Sequence, residues 1–156
     1  MPTKFERMLQ LADEVFDARS DENQIQVDED VLAHLTAIHP ACVSSEEADD
    51  GPIAWVLLIP TTEKLMRQFL DGKISEQELY TLTPLHGKYD ALYLCSAMVL
   101  PEYRRKGLAK KLVLKAVDAI RKDHPIKTLF VWTFSKEGLL GAEALSRLLK
   151  LPLAVR

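Results

Sequence analysis

Apolar residues recur along this chain with two alternating periods, and the changes of period mark out its elements. Phe5, Met8, Leu9, Ala12, Val15 and Phe16 recur at helical spacing and predict a first helix over residues 3–17. After the polar stretch DARSDENQ, Ile25-Gln26-Val27 reads as a short extended piece. Asp28 or Asp30 then caps a second helix through Val31, Leu32, Leu35 and Ile38, which ends before Pro40. Ala41 to Ser44 reads as a strand, SSEEADDGP as a loop with a turn at Asp50-Gly51-Pro52, and Ile53 to Ile59 as a strongly apolar strand, so the two strands suit an antiparallel hairpin.

The stretch from 61 to 90 returns to helical spacing. Leu65, Met66, Phe69 and Leu70 predict one helix, and Ser75-x-x-Glu78 is a capping box for another, before the loop TPLHGKYD. Leu92 to Leu100 is then a nearly continuous apolar run, the mark of a strand buried on both faces. Pro101 stops it, a turn carries Arg104, Arg105 and Lys106 to Gly107, and Leu108, Leu112, Ala116 and Ile120 begin a further helix with Ala109, Val113 and Val117 beside them. Ile126 to Phe134 predicts a strand, Gly141 to Lys150 a closing helix, and Leu151 to Arg156 a short strand. No internal repeat or low-complexity segment interrupts this order.

Composition narrows the class. The 156 residues suit one domain over 1–156 with a sizeable core, and 47% apolar with 28% charged residues are ordinary for a globular protein. No apolar run approaches the roughly 20 residues that span a bilayer, and the acid-bearing amphipathic start fits neither a secretory nor a transit peptide, so a cytoplasmic protein with no membrane partner is expected. Cys42 and Cys95 both fall in predicted strands and lack metal-ligand spacing, which reads as two buried thiols and no metal site. Charge is uneven: residues 1–50 hold 3 Lys/Arg against 13 Asp/Glu, and the remainder holds 17 against 10. That division fits an anionic cofactor on one part and a cationic substrate on the other, and equally fits solvated surface. A sequence pI near 5.8 argues against a nucleic-acid partner.

The unit of strand, basic turn, glycine and helix carries the candidate chemistry. A helix start offers backbone N–H groups without intrahelical partners and about half a positive charge, and a glycine lets an anion approach them. The pattern Val99-x-Pro101-x-Tyr103-Arg104-x-x-Gly107-Leu108-Ala109-x-x-Leu112 resembles the acetyl-CoA-binding motif of the GNAT superfamily of N-acetyltransferases, which writes Gln/Arg-x-x-Gly-x-Gly/Ala after a strand ending in Val-x-Pro. The resemblance is sharp over Ala97 to Leu112 and extends in outline from Pro40 to Leu153. It implies an α/β (α+β) fold, a mixed, mostly antiparallel sheet flanked by helices, from which this chain departs by a helical insertion at about 61–90 and a reduced C-terminal end. It also implies that the amides of Arg105, Lys106, Gly107, Leu108, Ala109 and Lys110, with Arg104 beside them, hold the pyrophosphate of acetyl-CoA. Family members splay the strand from its neighbour, which leaves the backbone of Ala97, Met98 and Val99 to pair with the pantetheine arm.

The implied function is transfer of an acetyl group from acetyl-CoA to an amine of a small molecule or protein by direct attack. The alternative is a CoA-binding regulatory or structural module without catalysis. Two departures bear on that choice. The carboxylate that family members often carry four residues before the valine is Cys95 here, which reads as a core cysteine, and the tyrosine often found on the closing helix becomes Leu148. No catalytic residue is therefore assigned, and Tyr80, His86, Tyr89 and Tyr93 remain as replacement acids from other segments. Too few residues follow Leu153 for the family's final hairpin, so either a second copy completes the sheet or the sheet is smaller, and a homodimer is expected. Sedimentation at micromolar concentration should show a homodimer; a lone species near 17.6 kDa would exclude it.

Overall fold

Five strands among the described residues form one sheet in the order β1-β2-β3-β4-β5. The structure is a computed structural model that describes residues 2–17, 29–48, 51–133 and 136–156. In chain order the elements are α1 (Lys4–Asp17), α2 (Glu29–Ile38), β1 (Val43–Ala48), β2 (Gly51–Thr61), α3 (Glu63–Leu70), α4 (Glu76–Leu82), β3 (Ala91–Val99), α5 (Leu108–Asp123), β4 (Thr128–Val131), α6 (Lys136–Leu149) and β5 (Leu153–Val155). The antiparallel ladders β1–β2 and β2–β3 hold most of the paired residues, and β3–β4 and β4–β5 run parallel. The expected class, a mixed and mostly antiparallel sheet flanked by helices, is the one observed. Among the described residues no helix is long and apolar enough to cross a membrane.

β2 is buried almost end to end because both of its faces are covered. On one face the Phe5 ring of α1 meets Trp55 edge to face at 5.9 Å, and Ile59 lies opposite Tyr93. Tyr93 stacks on Phe130 at 5.0 Å, and Phe69 of α3 closes over both rings and over Trp132 at 5.0–5.9 Å. Arg156 adds its guanidinium 4.1 Å from the Trp132 ring centre and 4.6 Å from that of Phe69. Across the other face lies α5, whose apolar stripe Leu112, Val113, Ala116, Val117 and Ile120 is buried.

The connection from β2 to β3 forms the two helices that its pattern predicts. Thr62 caps α3, and Ser75 with Glu78 makes both bonds of the capping box on α4. Its ends meet: Asp90 accepts from the Glu63 N–H at 2.8 Å, the Asp90 N–H donates to Thr61 O, and Thr61 pairs with Ala91. Inside it, the hydroxyls of Thr61 and Thr83 share a hydrogen bond of 2.7 Å, and Tyr89 donates to Pro84 O.

Four expectations change. Residues 40–42 make a 3-10 turn, so Cys42 precedes the strand, and β1 instead runs through Ser44, Ser45, Glu46 and Glu47. An edge strand gains its ladder bonds while one face stays in water, and a polar segment can therefore serve. β4 is only Thr128–Val131 rather than 126–134, and Phe134 lies outside the described residues, as do Ile25-Gln26-Val27 and Asp28. α6 begins at Lys136 and takes Gly141 into its interior, which lowers helix propensity there by about 1 kcal/mol relative to alanine. β3 is buried over Ala91–Tyr93 but not throughout, for Ala97 is exposed.

A titratable cluster joins α2 to the end of α5. His39 Nδ1 accepts the Ala41 N–H at 3.0 Å, so Nε2 carries the hydrogen and donates to Asp123 at 2.7 Å. The His124 ring packs at a tilt against Tyr89 at 4.4 Å and edge to face with His39 at 5.8 Å, and Lys88 donates to the Asp123 carbonyl. The hydrogen bond from His39 holds the Asp123 carboxyl below its ordinary range. Burial above all, with the nearby Lys88 ammonium adding to it, holds the His124 imidazole below its usual 6.5. The unfolded chain therefore binds more protons at His124, and stability present above about 6.5 is lost as pH falls. The melting temperature should drop between about pH 7 and 5, and His124→Phe, which keeps a ring against Tyr89, should flatten that slope; an unchanged slope would remove His124 as its source.

Candidate functional site

A bulge opens the sheet. Leu57 pairs with Ser96 and Leu58 with Leu94, which leaves Cys95 as an extra residue in β3. β3 then pairs with β4 only at Ala91, Leu92 and Tyr93, and beyond Tyr93 the two strands part. A cavity of about 470 Å³ occupies the opening. Its walls come from Cys95, Ser96 and Ala97 of β3, Val131 to Thr133 after β4, Ala109, Lys110 and Val113 of α5, and Gly141, Ala142 and Leu145 of α6. The walls are largely apolar, with backbone polar groups along one side, which suits a slender chain carrying amides of its own.

The basic turn adjoins this opening, since Ala109 and Lys110 just after it line the cavity. Residues 101–103 form a 3-10 turn, and Arg105 and Gly107 take left-handed backbones with φ of 65° and 72°. Gly107 is the N-cap of α5, and the first intrahelical bond runs from the Lys111 N–H to Gly107 O at 3.0 Å. The amides of Leu108, Ala109 and Lys110 thus precede any intrahelical acceptor. A Cβ built on Gly107 meets nothing within 4 Å, so the space before these amides is open. Arg104, Arg105, Lys106 and Lys110 are exposed around it.

Of the ten residues expected to hold the cofactor, Ala97, Ala109 and Lys110 share the cavity wall, and Arg105, Lys106, Gly107 and Leu108 form the adjoining turn. Met98 is buried with its backbone opposite Trp55, and Val99 accepts from Arg104 Nε at 2.9 Å, so this arginine ties the turn to the strand. Two residues of α1 join the turn without any mark in the motif. Lys4 lies 5.7 Å from the Tyr103 ring centre, opposite Lys106 at 5.6 Å. Arg7 binds Glu102 at 2.7 Å and by that hydrogen bond holds its carboxyl below the ordinary range.

The candidate acids separate clearly. Leu148 is 53% exposed and stands off the cavity, whose α6 wall is formed near Leu145 instead. His86 is exposed, Tyr80 packs against His34 at 5.0 Å, and Tyr89 is engaged with Pro84. Tyr93 is buried and donates to Glu76 Oε2 at 2.5 Å, and Cys95 Sγ lies 3.9 Å from the same oxygen. Glu76 is fully buried at the first position of α4. Sequence reasoning missed it, because the capping box that starts its helix assigns roles to Ser75 and Glu78 and none to the residue between.

The parted strands, the cavity and the open helix start meet at one cleft. The family model described as Acetyltransferase (GNAT) family matches residues 5–139, and the chain belongs to that family. Comparison with curated proteins and with solved structures returns no match. Gly107→Asp should abolish any thermal stabilisation by acetyl-CoA, since it sets a carboxylate before the amides; its own melting temperature should fall modestly, because a side chain at a φ of 72° is strained although the site has room. Equal ligand-induced shifts in wild type and variant would remove the turn from the binding site.

Proposed function

We propose that this protein transfers an acetyl group from acetyl-CoA to an amine by direct attack, and that it does so in the cleft between β3 and β4. The observation that carries this reading is that the gap beyond Tyr93 and the open amides of α5 lie at the same end of the sheet, joined by one cavity. The amides from Arg105 to Lys110 receive the pyrophosphate, and the backbone edge from Ala97 to Val99, which β4 leaves unpaired, pairs with the pantetheine arm. Cys42 and Cys95 are buried and form no disulfide, which suits a reducing, cytoplasmic setting.

In the transfer the nitrogen lone pair forms the C–N bond, the C–S bond breaks, and its electron pair leaves on the CoA sulfur. A backbone N–H of β3 near Val99 polarises the thioester carbonyl. Holding donor and acceptor in line supplies a large part of the acceleration, on the order of 7–11 kcal/mol in well-oriented systems. Acetyl-CoA should raise the melting temperature with its occupancy, and a panel of small amines and lysine peptides should elicit thiol release. Stabilisation with no thiol release from any acceptor would instead favour a CoA-binding regulatory module.

A further inference from the structure

Direct attack, as proposed above, leaves two proton transfers to assign: one from the amine and one to the departing thiolate. β3 carries no carboxylate within the cleft, and α6 presents no tyrosine to it. Behind the cleft wall, however, stands Glu76. Its carboxyl is fully buried, Tyr93 donates to Oε2 at 2.5 Å, and Cys95 Sγ lies 3.9 Å from that oxygen. Of these three groups Cys95 alone lines the cavity, and it is the bulged residue at which the strands begin to part. The carboxyl therefore stands one thiol away from the cavity.

A packing role would need only an acceptor for the Tyr93 hydroxyl, and a neutral group could provide it. Burying a carboxyl instead is costly unless its partners compensate. We propose that Glu76 takes the acceptor's proton through the Cys95 thiol, the carboxyl reaching from α4 the place that β3 leaves to a cysteine. The proposal rests on the acetyltransferase reading. As nitrogen bonds to the acyl carbon, its proton passes to Cys95 Sγ, and the thiol's own proton passes to Glu76 Oε2. The C–S electron pair leaves as the CoA thiolate. The relay then runs back: Glu76 returns a proton to Cys95, whose sulfur hands one to the thiolate. A neutral amine and acetyl-CoA become an amide and free CoA, and both residues end as they began. Cys95 is the group that touches the reactants, while Glu76 acts through it and Tyr93 fixes the carboxyl.

The test pairs turnover with cofactor affinity, using thiol release from acetyl-CoA with an active amine and calorimetry with acetyl-CoA alone. Glu76→Gln keeps the size of the side chain and an acceptor for Tyr93. It should lower kcat by about 100-fold or more, the usual span of acid–base assistance, with KM and acetyl-CoA affinity within about twofold. Cys95→Ala should do the same, and Cys95→Ser, whose hydroxyl can pass a proton, should recover most of that loss. Wild-type kcat in Glu76→Gln would overturn the assignment and leave the acetyltransferase reading intact. Should Glu76→Gln fold poorly, the Cys95 pair decides: equal activity in Ala and wild type overturns the relay. So does loss of activity in Cys95→Ser together with an acetylated Cys95 in the wild type by intact mass, which identifies a thiol nucleophile instead. A wild type that neither binds nor turns over acetyl-CoA overturns the functional reading itself, and the relay with it.

Discussion

The one-residue bulge at Cys95 is the constraint on which the molecule turns. With one residue more than β2 can pair, β3 changes direction after Leu94, and its bonds to β4 stop at Tyr93. Backbone groups inside a protein must find partners, so a strand edge left open beside a cavity is tolerable only where water or a ligand supplies them. α5 follows directly from the parted strand and places its own unpaired amides at the same opening. Strand and helix thus present two sets of backbone donors and acceptors to one space.

The second structural theme is the aromatic layer on the face away from α5. Phe69, Tyr93, Phe130 and Trp132 form one contiguous cluster, and Arg156 lies on its rim. This layer holds the β2–β3 connection to the sheet. It also fixes where Tyr93 presents its hydroxyl, and hence where Glu76 is held. Packing on one face of the sheet is in that sense coupled to the geometry of the cleft that opens beyond its central strand.

Much of this was legible because it is local. Arg104, Gly107 and Ala109 stand in a short motif, and the structure gives Gly107 the left-handed cap that such a turn requires. The helices of the β2–β3 connection follow from apolar spacing and from Ser75 and Glu78. What was not legible depends on neighbours distant in sequence. β1 is polar and reads as a loop, but pairing with β2 gives it a ladder. The exposure of Ala97 follows from the absence of a partner strand, which the apolar run from Leu92 cannot reveal. Lys4 and Arg7 join the basic turn only because α1 packs beside it. Glu76 looks like any acid in a first helical turn, and its burial is a property of where α4 docks.

The arrangement of the β2–β3 connection has a corollary. It leaves and rejoins the sheet at adjacent points, Thr61 and Ala91, and Asp90 staples its two ends. The fold thus carries, between β2 and β3, a connection whose interior can vary while its two points of attachment stay fixed. Substitutions within that connection reach the space behind Cys95 through Glu76 without altering a residue of the turn before α5.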